Sequence, residues 1–468
     1  MAAVGFAVAV AHGLWTGPAW LDSGFVSLRY VRSLAYKHTF SLPGQGSPAE
    51  GFADPLWTAV LTVLNVAGLH EFRMQPYAGA VLFGCVVALA VFVAARRSAR
   101  IESPMLVACL AAMPTMALAS HSGTDDIFAA LMTLAAVIVV SADLDRPEGG
   151  RSSLTWLGLL SLCGVAPLMI AAGLAFTYRR QRPQWGVVVL VSLSIMSVAR
   201  MAIFGSLVPQ SFQAQLGQLD TSAWLEALRL SPVLVVLSLV GLAVSHRAEE
   251  RVWPVVLAML AWVFVGVVGV AEAEDFGAVM VPVLALMALC AGRGLEGLPS
   301  RWLGFAGLLA VGAVDLRVAW TDRDAAAHAR ISAFKQARVM TRFLKWRFED
   351  DVTVVTQTAG ILPYFYGRSV FDLTGITHAQ PVSPEFVLAL DAEVMIPQGQ
   401  IVSVTAERLS MGVNWDWQVV GETHHQHAIQ HHKEWDLINI YPLWFNLYMR
   451  ADLSKYRPDW DPKTGKKK

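Results

Sequence analysis

Acidic side chains recur in the polar stretches that interrupt an otherwise apolar chain. Asp22 opens the run Asp22-Ser-Gly-Phe-Val-Ser-Leu-Arg-Tyr30, Asp125 and Asp126 end His121-Ser-Gly-Thr-Asp-Asp126, and Glu274 and Asp275 form a third group. A carboxylate at the mouth of a membrane cavity could take a proton from an acceptor hydroxyl or help hold a divalent cation such as Mg or Mn. Acidic residues gathered at one face of a membrane bundle often mark a site. Each also has a plainer reading. Asp22, Asp125 and Asp126 all precede helical runs, where a carboxylate caps the N-terminus and complements the helix dipole. Arg29 could meet phosphate oxygens, which suit a guanidinium, or pair with an acidic neighbour.

A different chemistry is suggested further on. His424-His-Gln-His-Ala-Ile-Gln-His-His432 places five histidines in nine residues. On a helix, His424, His427 and His431 share a face, and neutral imidazoles there could bind Zn or Cu. The plainer reading is a solvated polar loop. Trp435–Tyr448 is rich in aromatic and aliphatic residues that could pack on a membrane surface or on a partner subunit. The four cysteines, Cys85, Cys109, Cys163 and Cys290, all lie in apolar segments. No disulfide framework, zinc cluster or redox pair is therefore expected.

The elements that must position these groups are membrane helices. Hydrophobic residues make up 55% of the chain and charged residues 15%, and the mean hydropathy is +0.48. This is the composition of an α-helical polytopic membrane protein. The net charge of zero gives no bulk attraction to nucleic acid. A spanning helix needs roughly 20 apolar residues. Candidate stretches are 2–16, 76–95, 103–119, 127–142, 186–205, 229–245, 253–271, 278–292 and 302–318. Gly164 and Pro167 break the stretch 154–178 into two short helices, for a total of about eleven membrane segments. The first segment reads as a retained helix, because no basic residues precede it and no small-residue cleavage site follows.

Arg96, Arg97, Arg100, Arg146, Arg151, Arg179, Arg180, Arg182, Arg247 and Arg251 all fall on one side if 55–70 lies at the outer interface without crossing. That side is then cytoplasmic, which suits a multi-pass protein of a bacterial inner membrane. The transmembrane domain is 1–319, with a first outer loop (17–75) carrying interfacial helices. From Thr321 charged and aromatic residues rise. A helix over 325–348 and strands near Val352–Val355, Ile401–Val404 and Trp417–Val420 predict a small C-terminal α/β extracytoplasmic domain, 320–460. A basic tail, 461–468, reads as disordered. A transporter is disfavoured, since Arg200 is the deepest charge in any span.

Several motifs, in order, resemble the GT-C superfamily of integral-membrane glycosyltransferases, in its arabinofuranosyltransferase-like and mannosyltransferase-like branches. The first-loop pattern Asp-Asp-Ala-Phe-Ile-Ser-Phe-Arg-Tyr resembles Asp22–Tyr30. The pattern Val-Glu-Gly-Tyr-Thr-Asn-Pro-Leu-Trp is similar to Ala49-Glu-Gly-Phe-Ala-Asp-Pro-Leu-Trp57. Ser-Gly-Leu-Glu-Thr corresponds to Ser122–Asp126, and a Tyr-Gly-x-Leu-Pro-Asn-Thr-x-x-Ala-Lys pattern to Phe204–Gln215. A Gly-Ala-Ile-Pro-Tyr pattern that runs on to Asp-Leu-x-Gly-Leu-Thr is similar to Ala359–Thr377. The resemblance spans 21 to about 377. It implies transfer of a sugar from a polyprenyl-phosphate donor to a cell-envelope glycan, lipid or protein acceptor on the outer face. Asp22 and Asp125 are then the catalytic carboxylates, and Arg29, Glu50, Asp126, Gln215 and Asp275 line the substrate.

The chain departs from these patterns. Ser23 replaces the second Asp of the first motif, Gln215 replaces a Lys, and Glu274–Pro282 lacks a basic residue. These changes remove one carboxylate and two cations. They motivate a second expectation, a non-catalytic GT-C-like subunit that scaffolds a larger membrane complex among membrane lipids and other subunits.

Overall fold

The computed structural model describes residues 1–17, 20–42, 48, 50–52, 54–98, 100–144, 151–207, 209, 231–247, 253–269, 281–348, 352–356, 358–372, 394–396, 417–419, 448–450, 460–461 and 466–467. Helix α1 (Ala2–Thr16) packs along α4 (Glu71–Arg97). Between them α2 (Asp22–Lys37) and α3 (Pro55–Val66) occupy the outer loop. Asp54 caps α3 by accepting from the Trp57 amide, and Pro55 takes the first helical position, where a missing N–H costs nothing. With 12 residues, α3 falls short of the roughly 20 a crossing needs. Its Val60, Val63 and Val66 are exposed, in keeping with a helix lying at the interface.

The stretch expected as one span over 103–119 is bent by 52°. It comprises α5 (Glu102–Ala108), a 3-10 turn (Cys109–Ala112) and α6 (Pro114–Ser120). Pro114 explains the break, because it lacks an N–H and forces Met113 into extended backbone (ψ 116°). Next come α7 (Asp126–Leu144), α8 (Ser152–Ser161), α9 (Val165–Thr177) and α10 (Pro183–Phe204). The α8–α9 break falls at Gly164, whose φ of +133° suits glycine. The last helices are α11 (Pro232–Arg247), α12 (Trp253–Gly269), α13 (Val281–Glu296) and α14 (Arg301–Ala310). A π turn at Val311–Asp315 leads into α15 (Leu316–Arg347). The boundary expected at 319/320 thus falls inside a helix.

Among the described residues, α4, α7 and α10 are long and apolar enough to cross a membrane, and the bent α5–α6 pair would make a fourth. Shorter apolar helices include α1, α9 and the apolar parts of α11 and α12. The expected count of about eleven segments is larger than these supply, and several of its stretches run outside the described residues. Most of α10 is exposed, with Val187, Leu190, Ile195 and Val198 facing outward, as lipid-facing residues would.

Close backbone approach holds the inner helices together. A Cβ added at Gly241 would lie 1.7 Å from the Cys290 carbonyl oxygen, and one at Gly294 would lie 2.3 Å from that of Leu237. Ser238 bridges the same α11–α13 seam by donating to Leu234 (2.6 Å) and Met287 (2.7 Å) carbonyls. Small residues and hydroxyls of this kind drive helix association where lipid removes the hydrophobic force.

The C-terminal part of the described chain contains a five-stranded mixed sheet in the order β2-β1-β3-β5-β4. β1 (Val354–Thr356) pairs in parallel with β2 (Val370–Asp372) and β3 (Val394–Ile396). β5 (Tyr448–Arg450) pairs antiparallel with β3 and with β4 (Trp417–Val419). The strand expected at 417–420 forms at 417–419, the one expected at 352–355 forms at 354–356, and 401–404 lies outside the described residues. A short helix, α16 (Ile361–Tyr366), links β1 to β2. Met340, Leu344 and Phe348 of the α15 end pack with Leu362, Tyr366, Val370 and Ile396 to form the core there. Beyond it, Trp460–Asp461 pairs with Lys466–Lys467 in a two-residue ladder.

Gly241→Ala should force α11 and α13 apart at a cost of about 1–3 kcal/mol, whereas Gly186→Ala on α10, with nothing within 4 Å, should be neutral or stabilising. Thermal unfolding of the two variants in one detergent checks this.

Candidate functional site

Three sequence motifs meet at the start of α2. The Leu21 amide donates to the Ser122 carbonyl at 2.7 Å. Gly24 lies against Gly123 so closely that a Cβ would be 2.6 Å from the Gly123 carbonyl carbon. Trp20 covers Gly123, whose φ is +90°. The first outer loop and the His121–Asp126 loop are therefore one packed unit.

The third motif is held from the same place. Asp22 is the first residue of α2 and makes no cap bond there. Its carboxylate instead accepts from the Gly360 amide (2.9 Å) and the Ile361 amide (2.6 Å). Gly360 precedes α16 and has no side chain to cap it, so Asp22 supplies the cap from 338 residues away. A Cβ at Gly360 would lie 1.8 Å from the Asp22 carbonyl oxygen. Arg29, one face further along α2, donates to the Ala359 carbonyl. Asp372 of β2 lies close enough to act electrostatically on both. Burial pushes the Asp22 carboxyl up to about 6, against the lowering pull of the two amides. Burial likewise lowers the Arg29 guanidinium, with Asp372 and Asp22 supporting its charge.

Arg32 follows, stacked over the Tyr364 ring at 5.1 Å. The Tyr364 hydroxyl donates to Glu71 at 2.9 Å, and the Asn65 amide donates to the other Glu71 oxygen at 2.6 Å. Phe25 sits among Phe72, Phe334, Tyr364 and Phe365 with ring centroids 5.1–6.0 Å apart. Helices α2, α4, α15 and α16 thus share one aromatic core.

Glu50 forms a bidentate ion pair with Arg200 of α10, at 2.8 and 3.1 Å. Burial raises the Glu50 carboxyl and Arg200 opposes it. An arginine on an apolar, lipid-facing helix needs such a partner. Next to it, the Tyr30 hydroxyl accepts from the Gly51 amide at 3.1 Å.

A carboxylate group gathers beside this frame. Asp54 is 1% exposed. One of its oxygens caps α3, and the other is buried with no hydrogen-bond partner among the described residues. Burial raises the Asp54 carboxyl well above the ordinary range, and Asp125 and then Asp126 raise it further. Asp125 is half-buried, and burial raises its carboxyl too. Asp126 is buried, with Thr124 as a hydrogen-bond partner and Arg330 of α15 as an opposing charge. Burial and the repulsion of Asp125 and Asp126 both favour the protonated form of Asp54. Such a group can accept a proton from a substrate hydroxyl.

Asp125 and Asp126 are therefore together, while Asp22, Arg29 and Glu50 serve neighbouring structural contacts. Gln215, Asp275, His424, His427 and His431 lie outside the described residues. Among the described residues no group of three or more His, Cys, Asp or Glu is placed to hold a metal ion. Sequence reasoning missed Asp54, because Asp before Pro at the head of an apolar helix reads as an ordinary cap. It also missed Glu71, one of whose partners, Tyr364, is 293 residues away, and Arg330, which opposes the charge of Asp126.

Asp22→Ala should leave the Gly360 and Ile361 amides unsatisfied at a cost of about 2–3 kcal/mol. Hydrogen exchange across 354–366 should accelerate roughly 30-fold or more while α4 and α7 keep their protection. Unchanged exchange would contradict the clamp.

No protein-family model matches the sequence, and no curated protein matches it. Solved structures do. ArnT from Cupriavidus metallidurans, a GT-C glycosyltransferase, aligns in its apo state with a TM-score of 0.57 and 13% identity, covering 95% of this chain and 97% of ArnT. Its complex with undecaprenyl phosphate aligns with a TM-score of 0.59 over the same shares. The Archaeoglobus fulgidus oligosaccharyltransferase, tethered to an acceptor peptide, aligns at 0.49 and 10% identity, covering 90% of this chain and 73% of that one. At this identity the ArnT likeness extends to architecture, and with it the expectation from the motifs is met: the chain has the fold of the GT-C superfamily of integral-membrane glycosyltransferases.

Proposed function

We propose that the chain transfers a sugar from a polyprenyl-phosphate donor to a glycan, lipid or protein acceptor at the outer face of the membrane. The observation that carries this reading is the buried carboxylate group Asp54, Asp125 and Asp126, next to the outer-loop junction of a GT-C fold. ArnT, of like architecture, is solved with undecaprenyl phosphate bound, which supports a lipid-phosphate donor. Asp125 is the general base: it is half-buried, so an acceptor can reach it. Asp54 has no partner at one oxygen among the described residues and holds the proton affinity of the group high. Asp125 takes the acceptor hydroxyl proton as that oxygen bonds to the anomeric carbon. The polyprenyl phosphate leaves with the electron pair of the broken C–O bond. Asp22 and Arg29 act as positioning residues by fixing the outer domain.

One observation favours a second reading. Both charged groups of the first-loop motif, Asp22 and Arg29, bond to the backbone of 359–361. With Ser23 and Gln215 at the altered positions, the fold could serve as a non-catalytic scaffold for other membrane subunits.

Transfer from synthetic polyprenyl-phosphate sugars by the full chain in nanodiscs separates the two. Asp125→Asn should lower kcat by about 100-fold or more with the thermal unfolding midpoint unchanged. The base works ionised, and burial raises its pKa, so the rate should fall as pH drops through a midpoint above the ordinary value of about 3.9. A wild-type chain that co-purifies with other subunits and transfers nothing from any donor supports the scaffold.

A further inference from the structure

A cavity of about 390 Å³ opens between α2 and α16, and its lining includes none of Asp54, Asp125 and Asp126. Arg29, Arg32, Tyr36, Lys37, Tyr364 and Gly367 line it. Arg32 and Lys37 are exposed, and among the described residues neither forms an ion pair with a carboxylate. Arg32 makes a long contact of 3.4 Å with the Tyr364 carbonyl. Close by, Lys345 donates to the Phe365 carbonyl at 2.8 Å. Burial lowers the Lys345 ammonium, and Arg368 and Arg32 lower it further by repulsion. Arg32, Lys37 and Lys345 therefore share one small region, and among the described residues none of the three forms an ion pair with a carboxylate.

The walls are fixed. The Tyr36 hydroxyl donates to Asn65 (3.3 Å) and that of Tyr364 to Glu71 (2.9 Å). Glu71, the nearby acid, engages one oxygen with Tyr364 and the other with Asn65. Gly367 has a φ of +71° and nothing within 4 Å of an added Cβ, which leaves the rim open. Guanidinium and ammonium groups around an open cavity with aromatic walls suit a phosphate group, whose charge and oxygens can satisfy more than one cation.

We propose that this cavity is a binding site for a phosphate-class oxyanion, separate from the Asp54–Asp125–Asp126 group, with Arg32 and Lys37 as the contacting cations. Its ligand is either the head group of an anionic lipid or a soluble phosphate ester. The proposal does not depend on sugar transfer, because its readout is binding.

The test uses the full chain in nanodiscs. One arm titrates glycerol phosphate against protein in phosphatidylcholine discs by calorimetry. The other measures phosphatidylglycerol retained on the protein by native mass spectrometry. The double variant Arg32→Gln/Lys37→Gln changes two exposed side chains, and Arg32→Lys/Lys37→Arg keeps the charge. Saturable binding in either arm, weakened about tenfold or more by the Gln variant and largely kept by the charge-conserving one, supports the site. The arm that responds names the source. No saturable binding of either probe, or equal binding by wild type and the Gln variant, overturns it.

Discussion

The structure depends on aspartates that cap helices belonging to other parts of the chain. A helix N-terminus leaves backbone N–H groups unsatisfied, and burying them away from water is costly. Asp22 meets this need for α16 through the Gly360 and Ile361 amides. Asp315 does the same for α11 through Val233 (3.1 Å) and Leu234 (2.8 Å). Asp143 accepts from the Ser153 amide of α8 at 2.9 Å. The Asp22 and Asp315 bonds join elements at least 81 residues apart, so a local requirement fixes a long-range arrangement, whereas Asp143 joins two successive helices. The Asp22 contact spans the greatest separation of the three, since it ties the start of α2 to the segment between β1 and α16.

That clamp divides the charged residues into two groups. Asp22 and Arg29 bond to the backbone of 359–361, and Asp372 acts electrostatically on both. The second group is Asp54, Asp125 and Asp126: among the described residues, Arg330 alone of the charges acting on Asp126 opposes it, and one Asp54 oxygen has no partner. A satisfied network gives rigidity, whereas an imbalanced one gives reactivity. The proposed chemistry is placed in the second group for that reason, and the first provides the frame that keeps it in register.

Much of the architecture was legible in the sequence, because lipid imposes long apolar runs and glycines mark the breaks. Gly164 split its span as expected. Pro114 bent another that was expected to be whole, since its flanks are as apolar as those of a straight helix. The motif resemblance identified the fold, since it placed Asp22, Ser122–Asp126 and Ala359–Gly360 in one scheme, and these segments do touch. What was not legible was the partner of each charge. Whether Asp22 capped its own helix or reached a remote one depends on tertiary packing that no local pattern records. The same holds for the Glu50–Arg200 pair and for Glu71, whose partners Asn65 and Tyr364 lie 6 and 293 residues away. Asp54 was hidden by its own plausibility as a cap: one oxygen does cap α3, and its other oxygen joins the carboxylate group.

The most direct measurement is an experimental structure of the full chain, purified from its native membrane and supplied with a polyprenyl-phosphate sugar. The account predicts density for the sugar within hydrogen-bonding reach of Asp125, below an outer domain held at Gly360 and Ile361 by Asp22. A chain locked among other subunits, with hydrocarbon packed against Asp125 and no lipid phosphate nearby, would contradict it.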